Sequence, residues 1–296
     1  MKHLIISFLA IFMGFTMLQA QQPKVHQTAL SKEDSLGIKS GADPRKAIPS
    51  HPGFSRKKGH PVIFTVGDST MKNGKDNGSN KQWGWGHFFG DYFDTSKVSV
   101  ENHALGGRSS RSFITEGLWA KVLDAVHPGD YVLIQFGHND NGPLNYGRAR
   151  ASLHGNGDND TTVVMEATGK PETIHSFGWY MRKYASDVKA KGATPILLSH
   201  IPRNMFTTKD STEVIRNNHD YGLWTKEAAA MAHVPFLDAN KLIASKLDKM
   251  GKDSIQKMYY GDHTHTSLLG AKLNASTIAE GLKTLKNCNI KKYLKK

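Results

Sequence analysis

The sequence predicts an α/β fold built on a five-stranded parallel sheet with helices on both faces. Three observations predict it. Short apolar, β-branched runs alternate with segments of helical periodicity. Most of the runs are predominantly apolar rather than alternating, as strands covered on both faces are. Glycine-rich turns carrying reactive side chains follow the first three runs, at the edge where such sheets place their chemistry.

The elements follow in order. Lys2 and His3 precede an apolar run over residues 4–18, and Gln19-Ala20 offers a small-residue cleavage end. This is the pattern of a secretory leader over residues 1–20. The run is short beside the roughly 20 apolar residues of a bilayer span. The mature protein is therefore expected in a periplasm or outside the cell, with no membrane partner after cleavage. Residues 21–60 are polar and, over 51–61, rich in Pro, Gly and basic residues; they read as an extended arm. The domain is expected over residues 61–290. Its strands are expected at residues 62–66, 98–102, 131–136, 195–200 and 234–238. Helical faces appear at Trp119, Val122, Leu123 and Val126, and at Phe177, Met181, Tyr184 and Val188. An Ala-rich helix is expected over 224–233. A last amphipathic helix carries Ala271, Ala275, Ile278, Leu282 and Leu285. Residues 141–176, rich in Gly, Asn and Thr, form a long connection expected to make a flap beside the reactive edge.

Composition narrows the function classes. The 296 residues suffice for a full core without staples. A lone cysteine, Cys288, excludes an internal disulfide, and its Lys- and Asn-rich surroundings carry no nucleophile chemistry. The formal net charge of +13 suits an anionic partner such as an acidic polysaccharide. The lysines are spread along the chain and no nucleic-acid recognition motif is present, so a nucleic-acid partner is not expected. Oligomeric state is not legible.

Four segments carry the chemistry. Gly67-Asp68-Ser69 follows the first strand and offers a serine nucleophile, although a helix-capping serine has the same local signature. Gly106-Gly107-Arg108-Ser109 follows the second, where Gly107 can expose a backbone N–H. Gly137-His138-Asn139-Asp140 follows the third, where Asn139 can offer an amide N–H. Together with the N–H of Ser69 these would form donors for an oxyanion. Asp262-His263-Thr264-His265 lies near the end. Its spacing lets Asp262 hold Nδ1 of His265 and leave Nε2 to accept from the serine. No G-x-S-x-G elbow is present. Arg108 and Arg111 are candidates to meet a uronate carboxylate. Trp83 and Trp85 offer stacking faces for a sugar ring or serve the core, and His200 and Arg203 face the same edge after the fourth strand.

These segments, with Thr65-Val66-Gly67-Asp68-Ser69-Thr70, Gly107 to Phe113, Phe136 to Asp140, Phe177 to Tyr184 and Asp262 to Thr266, resemble the SGNH hydrolases, or GDSL esterases. Within them the chain resembles the rhamnogalacturonan acetylesterases. The resemblance covers about residues 62–282. It implies a flavodoxin-like three-layer α/β/α sandwich and a serine esterase without metal or other cofactor. The nucleophile would be Ser69, the acid and base Asp262 and His265, and the oxyanion donors Ser69, Gly107 and Asn139. The substrate would be acetylated pectin, with acetylated xylan as the alternative. The first block reads Gly-Asp-Ser-Thr where the family often has Gly-Asp-Ser-Leu, which favours the pectin-type subgroup.

Two other classes compete. His138, Asp140, Asp262, His263 and His265 include the ligand types of a metal-dependent phosphoesterase, but a metal-bound hydroxide has no need of the serine. A non-catalytic binder of acidic glycans is the other alternative, although every catalytic position is filled.

Overall fold

The computed structural model describes residues 48–49, 56–216 and 220–296. The leader expected at 1–20, and the arm apart from 48–49 and 56–60, lie outside the described residues. The strands are β1 (Ile48–Pro49), β2 (Val62–Gly67), β3 (Ser99–Asn102), β4 (Tyr131–Gln135), β5 (Asp160–Val164), β6 (Pro171–His175), β7 (Thr194–Leu198) and β8 (Phe236–Leu237). The helices are α1 (Lys75–Gly78), α2 (Trp85–Phe89), α3 (Ser112–Thr115), α4 (Leu118–Ala125), α5 (Phe177–Ala190), α6 (Tyr221–Met231), α7 (Ala239–Leu247), α8 (Lys252–Lys257) and α9 (Leu268–Leu282).

The five parallel strands expected are present and lie in the order β3-β2-β4-β7-β8, and β1 adds an antiparallel edge strand on β3. Period-2 alternation splits the sheet into two faces. Ile63, Leu133, Ile196 and Leu198 pack with Trp85 and Phe89 of α2, Ile243 of α7 and Ile278 of α9. Val62, Phe64, Val66, Val132 and Ile134 pack with Trp119 and Val122 of α4, Tyr184 and Val188 of α5 and Ala228 of α6. Both faces of β2 and β4 are thus dry, which is why their runs are mostly apolar. Each such side chain contributes roughly 1.5 to 3 kcal/mol by leaving water.

The register fixes the reactive edge. Gly67 lies opposite Gln135. Beyond its strand end, β3 continues beside β2 through His103 N–H to Thr65 O (2.9 Å) and Leu105 N–H to Gly67 O (3.0 Å). The turns after β2, β3 and β4 therefore emerge side by side. The strand order changes direction around β2, the position where open α/β sheets form their crevice.

Several elements were not anticipated. Helix α7 starts at Asp238, whose carboxylate accepts from Lys241 N (3.0 Å), a capping signal present in the sequence. The connection 141–176 ends in a hairpin, β5 against β6. Arg56, in the expected arm, is an anchor. It pairs with the buried Asp130, which also accepts the N–H groups of Val62 and His127, each at 2.7 Å. Cys288 is buried and free, and burial pushes its thiol pKa up.

Arg111 corrects an expectation. It is only 1% exposed and has no face left for a substrate. Its Nε donates to Glu172 (2.7 Å) and its Nη1 to the carbonyls of Leu144 and Ala151 (both 2.8 Å). It ties the long connection to the turn after β3. Arg111→Ala strands two carbonyls and a carboxylate, and is expected to destabilise the protein by about 3 kcal/mol, read as a lower urea midpoint.

Candidate active site

The turn after β2 carries Asp68 and Ser69, and Asp68 shapes it. Its Oδ1 accepts from the N–H and the hydroxyl of Thr70, both at 2.8 Å. Burial raises the Asp68 pKa, against the opposing pull of those Thr70 bonds, and its Oδ2 has no partner. Ser69 is left part-exposed at the edge.

Asp262, Thr264 and His265 form a turn closed by one carboxylate. Asp262 Oδ1 accepts from the N–H groups of Thr264 and His265, both at 2.6 Å. Its Oδ2 lies 2.5 Å from His265 Nδ1. His265 Nε2 lies 2.8 Å from Ser69 Oγ. Burial opposes ionisation of Asp262, but the His265 ring and the two backbone donors outweigh it and hold its pKa below the ordinary carboxylate value. A charged Asp262 accepts at Nδ1–H, so Nε2 is the lone-pair nitrogen that faces the hydroxyl. His263 is exposed instead, and its carbonyl accepts from Asn204 N (2.7 Å).

The remaining expected donors lie on adjoining turns. Gly107 adopts φ +77°, a conformation that calls for glycine, and the movable end of Arg148 reaches this turn, its Nη2 lying 2.5 Å from where a Cβ would stand. Arg150 Nη1 donates to Gly107 O (2.7 Å). Asn139 is buried, and its Nδ2 donates to Arg108 O (2.9 Å), which orients the amide and leaves its second hydrogen for another acceptor. The expected flap thus reaches the site through Arg148 and Arg150, which sequence reasoning missed. Two basic residues in a long loop were the available signal.

Asp140 locks the turns after β3 and β4 together. Its Oδ1 accepts from Ser110 N (3.0 Å) and Ser110 Oγ (2.5 Å), and its Oδ2 from Gly137 N (3.0 Å). Tyr184 of α5 adds a hydroxyl bond to Ser110 O (2.7 Å). Asp140 is therefore a clamp. The five residues considered as metal ligands do not converge, and among the described residues no group of three or more His, Cys, Asp or Glu is arranged to hold a metal ion. Burial pushes the Asp140 pKa up to about 6, with the Ser110 bonds opposing. A carboxyl raised on folding binds its proton more tightly in the native state, so its contribution to stability falls as pH rises from the unfolded value, about 4, to about 6. The stability cost of Asp140→Asn is accordingly expected to shrink between pH 4 and 6 and to level above that, as read by thermal melts across the range.

Other candidates separate by burial. Trp85 is fully buried, with Nε1 bonded to Gln135 Oε1 (3.1 Å), and packs edge-on against Phe89; it is a core residue and not a sugar platform. Trp83 is half-buried beside His87 and Phe88. Arg108 is engaged by Glu116 (2.8 Å) and by Gly106 O (2.9 Å), so its guanidinium is largely spent within its own turn. His200 is buried and Arg203 half-buried beyond β7.

A parallel α/β/α sheet with serine, imidazole and carboxylate in hydrogen-bonding series at its carboxyl edge defines a hydrolase of the acyl-transfer class. Residues 65–273 match the model of the GDSL-like Lipase/Acylhydrolase family, and the chain belongs to that family; it is a carboxylic ester hydrolase. It is 32% identical over 221 residues to a rhamnogalacturonan acetylesterase of Emericella nidulans, covering 75% of this chain and 84% of that one. It is 27% identical over 231 residues to the probable rhamnogalacturonan acetylesterase YesY of Bacillus subtilis, covering 75% and 93%. Among solved structures, the Bacillus subtilis protein YxiM superposes with a TM-score of 0.61 at 27% identity. That superposition covers 76% of this chain and 56% of YxiM, a longer protein.

Proposed function

We propose that the protein is an exported serine esterase that removes acetyl groups from a plant cell-wall polysaccharide, with acetylated rhamnogalacturonan as the substrate. The observation that carries this reading is the series Ser69 Oγ, His265 Nε2, His265 Nδ1 and Asp262 Oδ2, with contacts of 2.8 and 2.5 Å. The likeness to a rhamnogalacturonan acetylesterase supports the choice of substrate. The pattern of residues 1–20 supports export, as a leader that is cleaved.

In this reading Ser69 Oγ attacks the acetyl carbonyl while His265 Nε2 takes its proton. Charge builds on the carbonyl oxygen, and the N–H groups of Ser69 and Gly107 and the amide of Asn139 receive it. His265 then returns the proton to the departing sugar hydroxyl. Water, deprotonated by the same nitrogen, attacks the acetyl-serine, and as the acyl–oxygen bond breaks His265 passes that proton to Ser69 Oγ and acetate is released. Asp262 stays ionised throughout and stabilises the imidazolium. Every step uses water and groups of this chain, and calls for no metal or other cofactor.

Acetate release from acetylated pectin, xylan and mannan by the purified protein tests the substrate. Preference for the rhamnogalacturonan-rich fraction is expected. Faster release from xylan would replace that assignment with an acetyl xylan esterase. Glycan binding with no acetate release from any of them would leave a binding protein.

A further inference from the structure

The turn after β3 is held by more than its own backbone. Arg108 N–H donates to Leu105 O (3.4 Å), which closes residues 105–108 as a β-turn. Gly107, at the third position, has φ +77°, the value of a type II turn. The peptide between Gly106 and Gly107 is the middle one of that turn. Flipping it converts type II to type I, at little cost where both central residues are glycine. In a trans peptide the C=O and N–H point in opposite directions. The flip would therefore swing the Gly107 N–H, a donor assigned to the oxyanion above, to the far side of the turn. Two glycines alone leave its aim open.

The side chain of Arg108 removes that freedom. Its Nη1 donates to Gly106 O (2.9 Å), the carbonyl of the same peptide. Its Nε and Nη2 meet Oε2 of Glu116 (2.9 and 2.8 Å). A guanidinium anchored on one side by a carboxylate thus grips the carbonyl on the other, and the N–H opposite that carbonyl is aimed away from it. A charged donor on the carbonyl also polarises the amide, which makes its N–H a stronger donor. The next peptide is braced separately, by Arg150 Nη1 on Gly107 O (2.7 Å). The backbone of Arg108 serves the neighbouring donor, since its carbonyl accepts from Asn139 Nδ2 (2.9 Å). Among the described residues no group accepts the Gly107 N–H itself.

We propose that Arg108 is a positioning residue for acyl transfer: through Gly106 O it selects the peptide orientation that aims the Gly107 N–H at the acyl oxygen. This rests on the mechanism given above. It also gives Arg108 a task other than meeting a carboxylate on the substrate.

Arg108→Gln tests this with a neutral aryl acetate, which offers no charge for a guanidinium to bind. The expected result is a kcat lower by about ten- to a hundredfold with KM changed by less than about threefold. The loss stays below the roughly 10²- to 10³-fold of a deleted oxyanion donor, because the donor itself remains. A small alkylboronic acid supplies the second readout. Its tetrahedral adduct on Ser69 puts an oxygen where the oxyanion forms, so its affinity should fall by about the same factor as kcat. Arg108→Lys keeps one donor for Gly106 O and is expected to recover part of both. An unchanged kcat overturns the proposal. So does a loss confined to KM, and so does a lower kcat with unchanged boronic-acid affinity. The Glu116 side chain is 42% exposed, so leaving it unpaired costs little stability, and a thermal melt checks the fold. Should Arg108→Gln still melt early, the double variant Arg108→Gln, Glu116→Gln leaves no unpaired carboxylate and is judged by the same two readouts. A wild type without esterase activity would count against the mechanism above, and the boronic-acid affinities would then decide Arg108 by themselves.

Discussion

Ser69→Ala is expected to lower kcat on an aryl acetate by about 10⁴-fold or more while leaving the fold intact. Ser69 is part-exposed, and its hydroxyl contacts His265 Nε2 at 2.8 Å. Removing one exposed hydroxyl therefore has little effect on stability. The covalent route disappears altogether, and the backbone donors left behind can assist only a direct attack by water. In serine hydrolases generally, loss of the nucleophile costs about as much as loss of the whole triad. The checks are initial rates with aryl acetate and a thermal melt. An alanine protein within tenfold of wild type, equally folded, would remove Ser69 from the chemistry.

The second large effect is Asp262→Asn, expected to lower kcat by roughly 10⁴-fold through the tautomer of His265. The asparagine Oδ1 can still accept from Thr264 and His265 N–H, where Asp262 Oδ1 now does at 2.6 Å. Its Nδ2 would then face Nδ1 of the ring as a donor. The ring answers by placing its proton on Nε2, against the hydroxyl whose proton it has to take. Stability carries a separate signature. The Asp262 pKa is depressed on folding, so its stabilisation is present above the unfolded carboxylate pKa of about 4 and is lost as pH falls through the lower folded value. The stability penalty of Asp262→Asn should therefore be largest near neutral pH and shrink in acid. The penalty of Asp140→Asn runs the other way, because burial raises that group. Melts of both variants from pH 3 to 8 would show slopes of opposite sign.

Local pattern made much of this legible. Residues 62–66 and 131–136 are apolar but for Thr65 and Gln135 because both faces of their strands are covered, and a glycine ends each run. The Asp262–His265 pairing spans one turn, so spacing alone brings carboxylate and ring together. Signals that depend on partners distant in sequence were read less well. Trp85 and Arg111 have the composition of sugar contacts. Their burial depends on Gln135 from another strand, and on Glu172, Leu144 and Ala151 from the long connection. Asp140 sits beside Asn139 in the chain and invites a reading as a metal ligand. Its real partners, Ser110 and Gly137, make it a clamp. The hairpin of β5 and β6 lacks the apolar alternation of a core strand because it lies on the outside, with exposed residues on alternate positions.

By itself, then, the sequence determined the parallel sheet and put forward the candidate serine, histidine and acid, because strand burial and one-turn spacings are written in neighbouring residues. Only the tertiary structure decided that residues 69 and 265 meet, that Arg148 and Arg150 come to Gly107, and that Arg111 and Trp85 are buried. Those facts depend on which chain segments the sheet register and the two packed faces bring to one edge, and contacts across that many residues leave no periodic mark in the chain.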